Sequence, residues 1–249
     1  NWAWINTMKL QLNFGPLTTN TLLIGEQRSV TPLHYDEQDN FLHQISGDKT
    51  CFLFDPSHFK YFYPHPLHHV CDRQSQINFD AIDFDRFSNL KNILCDNGKK
   101  SNKGKDKLYR GYKCTLKPGD VLYIPKYWWH HIINSKNISI AINFWFKAPS
   151  LDENILKHIP LVVPELKVSL SRNIEKLAAA ELKSKSKAAS FFQYYDEKFN
   201  GKNNKIIESH EDYFKIVMSR LKIVLREEDI IPFLKEFFFN GRFSFQVLK

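Results

Sequence analysis

The chain reads as a mainly β fold, a sandwich or barrel of short strands, followed by an α-helical region. Three observations carry that expectation. Between Leu17 and Lys147 apolar and polar residues alternate in short runs bounded by turn residues, whereas beyond about Pro149 the apolar period lengthens to that of a helix. The third is composition: 43% hydrophobic and 25% charged residues, with 21 Phe and 5 Trp in 249 residues, describe a chain that buries a full core and is not disordered.

Strands are expected at 20–25, 30–36, 41–46 and 50–55, then at 113–116, 121–125, 130–134 and 138–146. Ser46-Gly47-Asp48 and Lys117-Pro118-Gly119-Asp120 read as turns between neighbouring runs, because Gly supplies positive φ and Pro cannot continue a ladder. The segment 96–110 is rich in Lys, Asn and Gly, lacks apolar periodicity, and reads as a solvated insertion. In the C-terminal part, Leu166, Leu170, Ile174 and Leu177 form one helical stripe, and Phe214, Val217, Leu221 and Val224 a second. A third helix is expected from Ile231 to Phe239, with Gly241 placed for the left-handed position after its end. The polar stretch 184–204 reads as a looser connection. The domain expectation is therefore a β core over 1–149 and a helical region over 150–249.

The net charge of +8 is concentrated in lysines at Lys99, Lys100, Lys103, Lys105 and Lys107, and again at Lys183, Lys185, Lys187, Lys198, Lys202 and Lys205. Such runs are solvated faces; a nucleic-acid stripe would interleave arginines and aromatics, so no nucleic-acid partner is expected. Cys51, Cys71, Cys95 and Cys114 show no C-x-x-C spacing, which argues against a zinc ribbon or disulfide framework and for a reducing compartment. No apolar run approaches a membrane span, so no membrane partner is expected. The start, Asn1-Trp2-Ala3-Trp4, has neither an initiator Met nor a signal-peptide pattern, and reads as the inside of a longer protein.

The most informative segment is Thr31-Pro32-Leu33-His34-Tyr35-Asp36. Residues two apart on a strand share a face, so His34 and Asp36 can converge on one metal ion while Tyr35 points away. The third ligand is sought after the Pro118-Gly119-Asp120 turn, where Trp128-Trp129-His130-His131 offers either His130 or His131, since neighbours on a strand face opposite ways. Two His and one carboxylate leave positions open for a co-substrate and dioxygen, which suits iron(II). An H-x-D pair alone is common on surfaces; the late-strand His is what gives it weight. The His68-His69-Val70-Cys71 cluster is a second group of metal-ligating residue types.

The segments 30–40, 71–76 and 118–131 and the triplet Asn143-Phe144-Trp145 resemble the JmjC-type, cupin-fold 2-oxoglutarate-dependent oxygenases, and among them the asparaginyl hydroxylase that inhibits hypoxia-inducible factor. The resemblance covers most of residues 1–150, with a weaker echo at 172–176 and in the last helix. It implies a double-stranded β-helix (the cupin/JmjC jelly roll) with iron(II) on His34, Asp36 and His130. It also implies 2-oxoglutarate and O2 as co-substrates, with ascorbate in support. Lys49 and Thr31 would meet the far carboxylate of 2-oxoglutarate, Asn40 and Asn143 its chelating end, and Leu23 and Trp145 would line the pocket. Gln38, Arg73 and Gln74 would hold the target amide, which a Gln suits because it donates and accepts. The same resemblance implies that the His68-His69-Val70-Cys71 cluster belongs to the loop leading to Arg73 and holds no second metal.

The activity implied is β-hydroxylation of asparagine in hypoxia signalling, on a transcription-factor activation segment or on ankyrin-repeat proteins, in cytoplasm and nucleus. A homodimer through about 211–239 is implied as well, where Phe214, Val217, Leu221, Val224, Phe233, Leu234, Phe237, Phe238 and Phe239 offer abundant apolar surface. The chain departs from the family pattern in three places: strands and tyrosines expected upstream are absent, Thr21 stands where a leucine lines the pocket, and 96–110 and 184–228 are longer. Two other readings stay open, a truncated and weakly active protein-binding module, and the same oxygenase chemistry on another residue or on nucleic acid.

Overall fold

The computed structural model describes residues 14–79, 81–87, 90, 111–147, 161–201, 208–238, 242 and 243. The expected insertion at 96–110, Cys95, Phe239 and the cap at Gly241 lie outside the described residues. The chain divides into two units, one of residues 1–56 and 106–150, the other of 57–105 and 151–249. Residues 57–79 thus group with the helices, a division that a single boundary at 149/150 does not draw.

The first unit is a rolled antiparallel sheet, in keeping with the expected jelly roll. Its strands among the described residues are β1 (Leu17–Gly25), β2 (Val30–Tyr35), β3 (Asp39–Phe54), β4 (Tyr112–Leu116), β5 (Val121–Ile124) and β6 (Trp129–Phe146). The two long strands, β3 and β6, pair along their whole length, from Asp39 opposite Phe146 to Phe54 opposite Trp129. On the far side of β6, β2 pairs with its first half and β1 with its second; on the far side of β3, β5 and β4 do the same.

Four of the expected strands are therefore halves of two. Gly47 does not reverse the chain. With φ +69° it makes a bulge around which the register shifts, and a side chain there would meet the Ile138 carbonyl oxygen at 2.6 Å. Asn137, on the facing stretch of β6, also has positive φ. A positive-φ glycine marks a turn and a bulge alike, which is why the sequence pattern does not separate them. The Lys117–Asp120 turn does reverse the chain, closed by the Lys117 N–H donating to Asp120 Oδ2 at 2.8 Å.

Residues opposed across antiparallel strands share a face. One face of β3 and β6 therefore carries the pairs Asn40/Trp145, Leu42/Asn143, Lys49/Asn134, Cys51/Ile132 and Leu53/His130. It is the interior, where Leu42, Cys51, Leu53, Leu116, Ile124, Ile132 and Ala141 form one buried cluster. Burial, followed by the neighbouring Cys114, pushes the Cys51 thiol up to about 12. The other face packs Phe41, Phe144 and Phe146 against Phe14. β1 alternates accordingly, with Thr21 and Leu23 half-buried and Leu22 and Ile24 exposed.

The second unit holds α1 (Pro164–Leu182), α2 (Lys185–Phe199), α3 (Glu208–Val224) and α4 (Glu227–Phe237) among the described residues. The stretch expected to be loose is α2. Ser184 caps it, its Oγ accepting from the Lys187 N–H, and Phe191, Phe192, Tyr194 and Tyr195 are buried. Paired aromatics one turn apart give it a packed face that the surrounding lysines mask in the sequence. Val217, Leu221, Phe233, Leu234, Phe237 and Phe238 are also buried in this unit's own core, so the stripe that suggested a dimer is covered within one chain. Ile216, Ile223 and Ile231 remain exposed on the same helices. No helix among the described residues is long and apolar enough to cross a membrane.

A buried ionic network ties residues 67–76 to α1. Arg172 donates to both Asp72 carboxylate oxygens at 2.8 Å and to Glu175 at 3.3 Å, while Glu175 also accepts from Arg242 and from the Leu67 N–H at 2.7 Å. The Arg242 guanidinium lies over the Phe243 ring, 4.2 Å from its centroid. Removing one member leaves the other buried charges uncompensated, at a cost of about 3–5 kcal/mol. Glu175→Ala is accordingly expected to lower the urea midpoint by that much stability, and a loss below about 1 kcal/mol would show that the network does not hold this unit.

Candidate metal centre

His34 lies on β2 directly opposite His130 on β6, and Asp36 follows the end of β2. The Asp36 carbonyl accepts the Tyr127 N–H at 2.7 Å, with Tyr127 in the left-handed region, and this tight contact brings the segment before β6 against the end of β2. One donor atom from each of His34, Asp36 and His130 lies within 4.8 Å of the others. The imidazole centroids are 4.1 Å apart, and His130 Nε2 is 3.8 Å from Asp36 Oδ2. Among the described residues no other three His, Cys, Asp or Glu side chains converge in this way.

Backbone carbonyls decide which nitrogen each histidine presents. His34 Nδ1 lies 2.9 Å from the Pro32 carbonyl and His130 Nδ1 3.1 Å from that of Trp128. A carbonyl only accepts, so each Nδ1 carries a proton, and in the neutral form of each ring the lone pair a metal needs is on Nε2. Burial, then the neighbouring His34, drives the His130 pKa well below the ordinary imidazole value, against a smaller opposing effect of Asp36. His130 is thus neutral, the form that ligates. Trp145 donates its Nε1–H to Asp36 Oδ2 at 3.2 Å and fixes the carboxylate. His131, the alternative third ligand, belongs to the opposite face, its ring 6.1 Å from that of Phe52.

The interior face carries further polar groups. Lys49 is 6% exposed, and its Nζ donates to Asn134 Oδ1 at 2.6 Å. Burial lowers its pKa, with Cys51 acting the other way. Asn40 and Asn143 are buried, and the Oδ1 atom of each lacks a hydrogen-bond partner. Buried amide oxygens are normally satisfied, so these two await one. Leu23 is half-buried opposite Ala141, and Thr31 is exposed on β2 opposite Ile132. Gln38 accepts from Thr18 Oγ1 at 2.8 Å.

Two imidazoles and a tethered carboxylate, with a buried lysine facing an amide on the same interior face, make a set that fits a divalent metal with an anionic ligand. Asn134 is the residue that the sequence pattern misses, and the signal for it is its register opposite Lys49. Arg73 and Gln74 lie in the second unit, where 63–76 doubles back through a Pro64–Ser75 bridge and the His65 N–H donates to the Gln74 carbonyl. Arg73 has φ +69° there, with its Nε 3.7 Å from Asp72 Oδ2.

Titration calorimetry with Mn(II) or Co(II) is expected to show one tight site that His34→Ala or Asp36→Ala abolishes. Trp145→Phe keeps the ligands and loses only the carboxylate tether, so affinity should fall about 10- to 100-fold. Unchanged metal binding in Asp36→Ala would remove this cluster as the metal centre.

A family model described as a cupin-like domain matches residues 6–152. The tRNA wybutosine-synthesizing protein 5 of Mus musculus is 32% identical over 119 residues, covering 47% of this chain and 30% of that protein. The HSPB1-associated protein 1 homolog of Danio rerio is 31% identical over 135 residues, 54% of this chain and 27% of the relative. Lysine-specific demethylase 8 of Danio rerio is 30% identical over 122 residues, 49% and 26%. The chain spans less than a third of the length of these relatives. With the family's match running through both long strands and all three converging side chains, this chain belongs to the cupin-like domain family.

Proposed function

We propose that the chain carries the core of an iron(II)- and 2-oxoglutarate-dependent JmjC-type oxygenase that hydroxylates the β-carbon of asparagine in a protein. The observation that supports this most is the convergence of His34, Asp36 and His130, with each histidine's Nδ1 held by a backbone carbonyl. Bound iron(II) would supply the oxidation, in which 2-oxoglutarate, O2 and a target C–H give succinate, CO2 and the C–OH product.

This chain's residues do the holding. His34 and His130 would present their Nε2 atoms, and Asp36 a carboxylate kept in place by Trp145. Lys49 and Thr31 would meet the far carboxylate of 2-oxoglutarate, and the amides of Asn40 and Asn143 its chelating end, beside Leu23 and Trp145. The apolar cluster of Leu42, Cys51, Leu53 and Ile132 lies on the same interior face as Lys49, Asn143 and His130. Gln38, Arg73 and Gln74 are proposed to grip the target amide, on the strength of the resemblance at 71–76. Ascorbate as supporting reductant, a transcription-factor segment or ankyrin-repeat protein as substrate, a homodimer, and residence in cytoplasm and nucleus belong to the same proposal.

A second reading has the same centre acting on another target. The names of two relatives, a lysine-specific demethylase and a tRNA wybutosine-synthesizing protein, favour it. An asparagine-containing ankyrin-repeat peptide incubated with the chain, iron(II), 2-oxoglutarate and ascorbate is expected to gain the mass of one oxygen atom on asparagine, with stoichiometric succinate. His34→Ala should yield neither product, and Gln74→Ala should raise the KM for peptide. Oxidation of a lysine peptide or tRNA in place of the asparagine peptide would establish the second reading. Peptide binding without succinate would leave a binding module.

A further inference from the structure

We propose that Asn134 is a positioning and selectivity residue, which holds the Lys49 ammonium as the fixed receptor for the distal carboxylate of a dicarboxylate co-substrate. The proposal rests on the 2-oxoglutarate reading above and names the part of the chain that would select the second carboxylate.

The orientation of the Asn134 amide is settled by its donors. Its Nδ2 donates to the Glu26 carbonyl at 3.1 Å and to Ser29 Oγ at 2.5 Å, and Ser29 Oγ donates onward to the Glu26 carbonyl at 2.7 Å. Because the Glu26 carbonyl can only accept, the amide nitrogen faces the turn between β1 and β2, and Oδ1 faces Lys49. The main chain secures the same contact, since Asn134 N–H donates to the Ser29 carbonyl at 3.0 Å and Arg28 N–H to the Asn134 carbonyl at 2.8 Å. Space for the amide depends on Gly25: a side chain there would stand 2.5 Å from Asn134 Nδ2 and 2.8 Å from Ser29 Oγ.

The partner's neutrality matters as much as its position. An ammonium has three donors, and Asn134 engages one of them without neutralising the charge. A carboxylate at this position would satisfy the cation and close the site to an anion. An apolar residue would leave the lysine stem to wander. An amide anchored on its far side fixes the ammonium and keeps its charge for a ligand. The buried ammonium lies on the same interior face as His130, with Cys51/Ile132 and Leu53/His130 the next two interior pairs along the ladder.

The test is calorimetric binding to the Mn(II)-loaded chain, with 2-oxoglutarate as the dicarboxylate and pyruvate as the 2-oxo acid that lacks the distal carboxylate. Asn134→Ala and Asn134→Asp are expected to weaken 2-oxoglutarate about 10- to 100-fold, Asp the more, while leaving pyruvate and Mn(II) affinity unchanged. Ser29→Ala, a milder change that loosens the amide's anchor, should shift 2-oxoglutarate alone and in the same direction. Should Asn134→Asp bind 2-oxoglutarate as tightly as the unmodified chain, or should pyruvate weaken in parallel, the assignment to Asn134 is wrong while the co-substrate reading stands. Should the unmodified chain bind no 2-oxoglutarate, the co-substrate reading falls and takes this inference with it.

Discussion

The full-length antiparallel pairing of β3 with β6 is the constraint on which the first unit depends. Apart from Asp36, which follows the end of β2, the interior residues proposed to bear chemistry lie on one of these strands or pair directly with one of them. His130, Asn134, Asn143 and Trp145 follow one another along β6; Asn40 and Lys49 face that strand from β3, and His34 is set opposite His130 by β2. The main-chain ladder does the positioning, so side chains are free to be chosen for chemistry. Local carbonyls complete the arrangement by fixing each imidazole two residues from its own donor site.

The two units treat buried positive charge in opposite ways. In the helical unit, Arg172 and Arg242 share Glu175 and Arg172 also holds Asp72, so each cation meets a carboxylate inside the same network. That arrangement is closed, and its consequence is stability. In the sheet unit, Lys49 meets an amide whose other hydrogen bonds run away from it. Such a cation is positioned by a neutral partner, and among the described residues no carboxylate is paired with it.

Local periodicity carried two of the three converging side chains of the candidate centre. His34 and Asp36 share a face by the simplest strand rule, and choosing His130 over His131 needs only to know which one faces inward. Longer-range features were less legible. Asn134 acquires meaning through its register opposite Lys49, and the network of Asp72, Arg172, Glu175 and Arg242 joins positions far apart in the chain. The helix α2 was obscured differently, since Phe191, Phe192, Tyr194 and Tyr195 sit among lysines and serines whose polarity dominates a window average. At Gly47 the sequence predicts a turn and the structure has a bulge within β3, because both ask for the same positive φ of a glycine.

That bulge also changes the parity of the strand. Before it, the inward residues of β3 are even-numbered, Asn40, Leu42 and Gln44; after it they are odd, Lys49, Cys51 and Leu53. β6 makes the matching change, from His130, Ile132 and Asn134 to Ala141, Asn143 and Trp145. His130 and Asn143 belong to different phases of one alternation, joined where both strands slip together. A substitution along β3 or β6 therefore leaves this alternation intact, but a residue gained or lost in one strand must be matched in the other, whereas the connections outside the ladder carry no such arithmetic.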